Sequence, residues 1–199
     1  MANNSQFVVP KYKFWTGATT DSPILFPIAD NDAEMRSTAR FCRRVRAGAP
    51  MRVPAIDRPL HKGRPATALE TVDHLAKVLT SARRDRDLSL VPIVGVGAKA
   101  GAALAAQLLL LHPSLMSACV LMRPTSPALH GEPQTLSGLA VLLGRASREE
   151  AAGTIGWEVL QALKKAGADV ICERVPLRNA LGLREAAMTR VFVSALFGS

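Results

Sequence analysis

The stretch Ile93-Val94-Gly95-Val96-Gly97-Ala98-Lys99-Ala100-Gly101-Ala102-Ala103 decides how this chain reads. The run Leu90 to Val96 is rich in β-branched residues and has no polar alternation, as a strand buried on both faces requires. Gly97 and Gly101 flank Lys99 in a tight turn. Ala and Leu residues then continue as a helix to His112-Pro113. The longest apolar run, Ala100 to Leu111, is broken by Gln107 and is too short to span a bilayer. A strand, a glycine turn and an apolar helix in direct succession form a βα unit, and the next strand is expected at Met116 to Met122.

Upstream, Pro23 to Ile28 reads as a short strand. Ala33 to Arg46 has helical spacing, with Asp32 as its expected cap. Met35, Ala39, Phe41 and Val45 supply its apolar positions, and Arg36, Arg40, Arg43, Arg44 and Arg46 form a basic face. Met51 to Ile56 is a further strand candidate, and the Pro-, Gly- and base-rich residues 57–65 form a loop. A helix is expected over Ala66 to Arg84, with Leu69, Val72, Leu75, Val78 and Leu79 on one face. Downstream come a loop from Thr125 to Leu136, a strand at Leu139 to Leu143 and a helix at Gly153 to Ala166. A strand at Val170 to Val175 and a closing helix at Leu183 to Phe197 complete the order. Strands alternating with helices imply an α/β fold, a mostly parallel sheet covered by helices on both faces in a three-layer sandwich. The 199 residues read as one domain, with residues 1–10 a loose N-terminal segment.

Hydrophobic residues make up 48% of the chain and aromatics only 5%, so the core is built from Ala, Leu and Val. Lys and Arg number 25 against 16 Asp and Glu, a net charge of +9. Such a balance suits nucleic acid, an anionic surface or an acidic protein as partner, and suits equally a solvated basic face with no partner. Cys42, Cys119 and Cys172 are far apart, with no CxxC pair and no zinc spacing, so neither a metal nor another cofactor is expected. Cys119 and Cys172 lie in apolar runs and read as buried. The polar, uncharged start Met1 to Gln6 is no secretory signal, and the expected setting is cytoplasmic.

The residues Ile93 to Pro124 resemble the α/β-hydrolase fold, and within it the phospholipase/carboxylesterase (dienelactone-hydrolase-like) family. That family carries a nucleophile elbow G-x-S-x-G, a helix ending in L-L-x-x-H-P and a strand. The counterparts here are Gly97-Ala98-Lys99-Ala100-Gly101, Leu108 to Pro113 and Ala118 to Pro124. Leu139 to Arg145 resembles the strand before the family's acid loop, and Ala166 to Val170 the turn before its histidine strand. The elbow holds a nucleophile at a helix N-terminus, where backbone N–H groups stabilise an oxyanion.

What the resemblance implies about chemistry is a loss. Lys99 stands at the nucleophile position and cannot act as serine does. Ser147 stands where the pattern has the acid, and Asn179 where P-x-x-H-x-L has histidine. The last histidine of the chain, His130, precedes the acid loop, so none remains to complete a triad in the order nucleophile, acid, histidine. The oxyanion motif H-G-x-G-G-D-E becomes Ile28-Ala29-Asp30-Asn31-Asp32-Ala33-Glu34. The old site would thus be Lys99, Ser147 and Asn179, with Asp30, Asp32, Ala98 and Ala100 at its rim.

Lys99 has two readings. In a dry site at a helix N-terminus its amine would be poised for Schiff-base chemistry. Paired with Asp30 or Asp32 it would fill the old oxyanion site. Glu149 and Glu150 are either a helix-start acid pair or an acid–base pair. His61, His74, His112 and His130 show no ligand spacing, and Trp15 and Trp157 read as packing residues.

The expectation is a catalytically inactive protein of this fold, a pseudoenzyme acting as a ligand-binding or interaction subunit. It would hold a small carboxylic acid or ester in the old pocket, or form part of a homo- or hetero-oligomer. Two alternatives stand beside it. One is an active carboxylesterase- or thioesterase-like hydrolase with a rearranged site. The other is a basic adaptor for RNA or an acidic protein, although no RNA-binding motif is present and stacking aromatics are scarce.

Overall fold

The structure is a computed structural model that describes residues 12–13, 22–47, 49–56, 67–85, 88, 90–125, 133–146, 154–176 and 181–198. The strands are β1 (Tyr12–Lys13), β2 (Ile24–Ile28), β3 (Ala55–Ile56), β4 (Ile93–Ala98), β5 (Ala118–Met122), β6 (Ala140–Ala146) and β7 (Asp169–Val175). The helices are α1 (Asp32–Arg46), α2 (Ala68–Asp85), α3 (Ala100–Leu111), α4 (Ile155–Lys165) and α5 (Leu183–Phe197). Five strands form one parallel sheet in the order β2-β4-β5-β6-β7. The short β1 and β3 pair antiparallel in a separate ribbon.

Side-chain alternation along the central strands divides the core between the two faces. Ile93, Cys119, Leu121, Val141 and Leu143 point to the layer of α2, α3 and α4. Val94, Val96, Val120, Met122 and Leu142 point to the layer of α1 and α5. β4 and β5 are therefore buried on both sides, which is why their sequences are apolar without alternation. α3 is the innermost helix: Gly101 to Leu110 are all buried, and Leu108 and Leu109 are wholly enclosed. Each such leucine contributes roughly 1.5–3 kcal/mol by leaving water.

The structure corrects several local expectations. α1 is capped by Asn31, whose Oδ1 accepts from Glu34 N at 3.0 Å, and Asp32 is its first helical residue. Met51 to Ile56 is not one strand. Arg52 bridges Ile24 in parallel, and only Ala55–Ile56 forms a strand, against Tyr12–Lys13. Leu90 is 94% exposed and lies outside β4, because the chain reaches the sheet only at Ile93. Leu69 sits in the first turn of α2, beyond the sheet, and is exposed, whereas Val72, Leu75, Val78 and Leu79 are buried. Cys172 is exposed although its run is apolar, because β7 is an edge strand. Cys42 and Cys119 are buried, and burial pushes the Cys119 thiol up to about 12 and that of Cys42 higher still.

Candidate functional site

The bend between β4 and α3 is built by close backbone approach. A Cβ on Gly97 would run into the Gly101 carbonyl and lie 2.8 Å from Ala102 Cα. A Cβ on Gly101 would strike the Ile28 carbonyl at the end of β2. Only glycine fits at either position, so the turn can be this tight. Between them Lys99 has φ 53° and ψ −120°, a backbone conformation that a residue with a Cβ adopts only under strain. Its N–H donates to Met122 O at 2.9 Å, and its carbonyl accepts from Ala102 N at 3.1 Å. These bonds fix the bend between β5 and the first turn of α3. The structure thus puts Lys99 at the tip of a strained strand-to-helix turn, with Ala98 and Ala100 on either side.

The Lys99 side chain is exposed and forms no ion pair among the described residues. The described residues lend support to neither sequence reading of this amine. Its exposure is not the dry setting that Schiff-base chemistry requires, and it forms no pair with Asp30 or Asp32 among the described residues. The carboxylate at the elbow belongs to Glu34 instead. Its Oε2 accepts from Gly101 N at 3.3 Å, in the first turn of α3, and from Asp30 N at 3.4 Å, in the β2–α1 connection. One oxygen thus ties the first turn of α3 to the β2–α1 connection. Sequence reasoning missed this role. The signal was the spacing Asn31-x-x-Glu34, an N-cap followed three residues later by a glutamate that can turn back toward the start of α1.

Two arginines at the carboxyl end of the sheet were also missed. Arg123 directly follows β5 with φ 54° and is 5% exposed. Burial pushes its guanidinium pKa down, and the charge of Glu185 on α5 opposes that shift. Glu185 is 2% exposed and accepts from Gly182 N at 2.9 Å. Arg145, near the end of β6, lies over the Trp157 ring at 5.6 Å from its centroid. Its Nε and Nη1 are buried with no hydrogen-bond partner among the described residues. The register places Arg145 beside Arg174 of β7, a like-charged neighbour. The sequence signal for both was an arginine closing an otherwise apolar strand.

Ser147, Asn179, Glu149, Glu150, His61, His130 and Trp15 lie outside the described residues. Within them, Trp157 is partly buried, as expected of a packing residue. His74 lies on α2, and His112 ends α3. Arg36, Arg40, Arg43, Arg44 and Arg46 are all exposed on α1. Two of them also serve the fold: Arg43 Nε donates to Ala39 O at 3.3 Å, and Arg44 Nη1 to Leu181 O at 3.1 Å. Among the described residues no group of three metal-ligating side chains occurs, and no helix is long and apolar enough to cross a membrane.

No protein-family model and no curated protein sequence matches this chain. Solved structures do. The Bacillus cereus carboxylesterase superposes with a TM-score of 0.76 at 19% identity, over 98% of this chain and 96% of that one. A carboxylesterase from Mesorhizobium loti gives 0.67 at 21% identity, over 88% and 89% of the two chains. A phospholipase/carboxylesterase from Dyadobacter fermentans gives 0.63 at 11% identity, over 94% and 98%. With five parallel strands, helices on both faces and a strained glycine-flanked turn after β4, this chain has the α/β-hydrolase fold of these carboxylesterases.

Proposed function

We propose that this chain is a non-catalytic member of the α/β-hydrolase fold that binds a small carboxylate at the carboxyl end of its sheet. The observation that carries this reading is the occupant of the elbow. Lys99 holds the strained position from which a hydrolase presents its nucleophile, and an ammonium on a four-carbon stem is no acyl-transfer nucleophile of that kind. The charge of the ligand is argued from the cations around it. Lys99 follows β4, Arg123 follows β5 and Arg145 closes β6, so three neighbouring strands each deliver a positive group to the same end of the sheet. Arg145 brings donors that the described residues do not use, and a planar fork of that kind suits a carboxylate. Ser147 and Asn179 would be the remaining positions of the old triad.

The test combines turnover with ligand-induced stability. The expected result is no hydrolysis of p-nitrophenyl acetate or butyrate, together with a rise in melting temperature with short-chain carboxylates that Arg145→Met abolishes. Turnover blocked by a fluorophosphonate would place the chain among active hydrolases with a rearranged site. A second reading, a basic adaptor for RNA or an acidic protein, is favoured by the exposed Arg36 and Arg40 on α1. Salt-sensitive retention on heparin, lost when both are neutralised and with no response to carboxylates, would select it.

A further inference from the structure

The two edges of the sheet are treated differently. At the β2 edge, Leu25 N donates to Arg52 O at 2.8 Å and Arg52 N to Pro23 O at 2.9 Å, so a passing segment covers the strand. Pro27 also removes a donor there. β7 has neither protection. It runs for seven residues without proline, and it matches β6 residue for residue from Asp169 against Ala140 to Val175 against Ala146, with no bulge. No described segment pairs with its other side. Ile171 is 49% exposed, and Cys172 and Glu173 are exposed beside it. A long, unbulged edge of this kind is a template for another strand.

We propose that β7 pairs antiparallel with β7 of a second copy of this chain, making one continuous sheet across a twofold axis. A twofold perpendicular to the sheet keeps each face on its own side. Each residue must then meet a partner from the same face, and a single residue lies opposite itself. Overlap and charge select which one: Cys172 is the middle residue of β7, and only a centre there pairs all seven residues. Centred on Ile171, the pairing sets Asp169 against Glu173; centred on Glu173, it sets that carboxylate against its own copy. Centred on Cys172, it sets Ile171 against Glu173 and Val170 against Arg174, with no like charges opposed. α5 packs on β6 and α1, and so it is the outer helix of its layer on the β7 side. It exposes Leu183 at 80%, Val191 at 69% and Leu196 at 42%. The twofold sets this layer beside its copy. On the opposite layer α4 exposes Glu158, Gln161, Lys164 and Lys165.

In this register the two Cys172 Cα atoms lie about 4.5–5.5 Å apart, the spacing of directly opposed residues on antiparallel strands. Sedimentation velocity of the full chain is run in moderate salt, which screens the repulsion between two chains of net charge +9. It is expected to show a species of twice the chain mass. A short bismaleimide is expected to join the two copies through Cys172, because Cys42 and Cys119 are buried. Cys172→Ser should lose the cross-link and keep the dimer. Cys172→Lys sets two ammonium groups against each other on the axis and should weaken association about tenfold or more. Circular dichroism and melting check its fold, and Ile171→Lys asks the same question if it fails to fold. A chain that stays monomeric as concentration rises would overturn the proposal. So would a dimer that neither lysine variant weakens and that Cys172 does not cross-link. The ligand reading above stands or falls independently, on its own assay.

Discussion

Lys99 stores strain that its side chain cannot relieve. A non-glycine residue held in this backbone region costs about 1–3 kcal/mol, and Lys99 makes no ion pair among the described residues to offset it. Lys99→Gly should therefore raise stability by about 1 kcal/mol in chemical denaturation, after the larger unfolded-state entropy of glycine is set against the relief. An unchanged or lower stability would show that the lysine is held by contacts of its own. The buried thiols act at the same scale. Their folded pKa values are raised, so their stabilising effect is complete below the ordinary thiol pKa near 9. It is lost as pH climbs from there toward the folded values, about 12 for Cys119. Cys119→Ala should flatten the alkaline loss of stability by about 1.4 kcal/mol per pH unit, read from denaturation midpoints. The lysine at the elbow was legible in the sequence because the two glycines framed it. Glu34 was not, since its place depends on how α1 leaves β2 and on the approach of Ile28 to Gly101, a contact between residues far apart in the chain.

The elements follow from pattern wherever burial is uniform. β4, α3 and β5 are enclosed on both faces, so their apolar runs could only be interior, and α5 starts and stops where the sequence reading places it. Where an element lies at a margin the pattern misleads. Ile171 and Cys172 read as core because β7 is apolar, yet the strand ends the sheet. Met51 to Pro54 reads as a strand, yet it only bridges the β2 edge. The elbow is the least tolerant junction. Gly101→Ala places a Cβ against the Ile28 carbonyl and 2.8 Å from Ala29 Cα, and both are backbone atoms that cannot rotate away. It should cost about 1–3 kcal/mol by forcing β2 and α3 apart, seen as a lower denaturation midpoint. A neutral effect would mean that this bend is looser than described. Arg190 joins the two helices of its layer by donating to Val45 O and Arg44 O, each at 3.0 Å, at the end of α1.

For the molecule as a whole, the fold is that of hydrolases, and the proposed loss of chemistry rests on the site alone. The sheet and its helix layers are those of solved carboxylesterases, over nearly the full length of both chains. Fold alone does not carry activity across, because activity resides in the groups at the site. Here those groups are an exposed ammonium on the elbow, a carboxylate tying α3 to the β2–α1 connection and an arginine whose buried donors find no partner among the described residues. The direct measurement is p-nitrophenyl butyrate turnover by the native chain, with fluorophosphonate labelling read by intact mass. The account predicts neither turnover above buffer nor an adduct. Saturable hydrolysis accompanied by one stoichiometric adduct would contradict it.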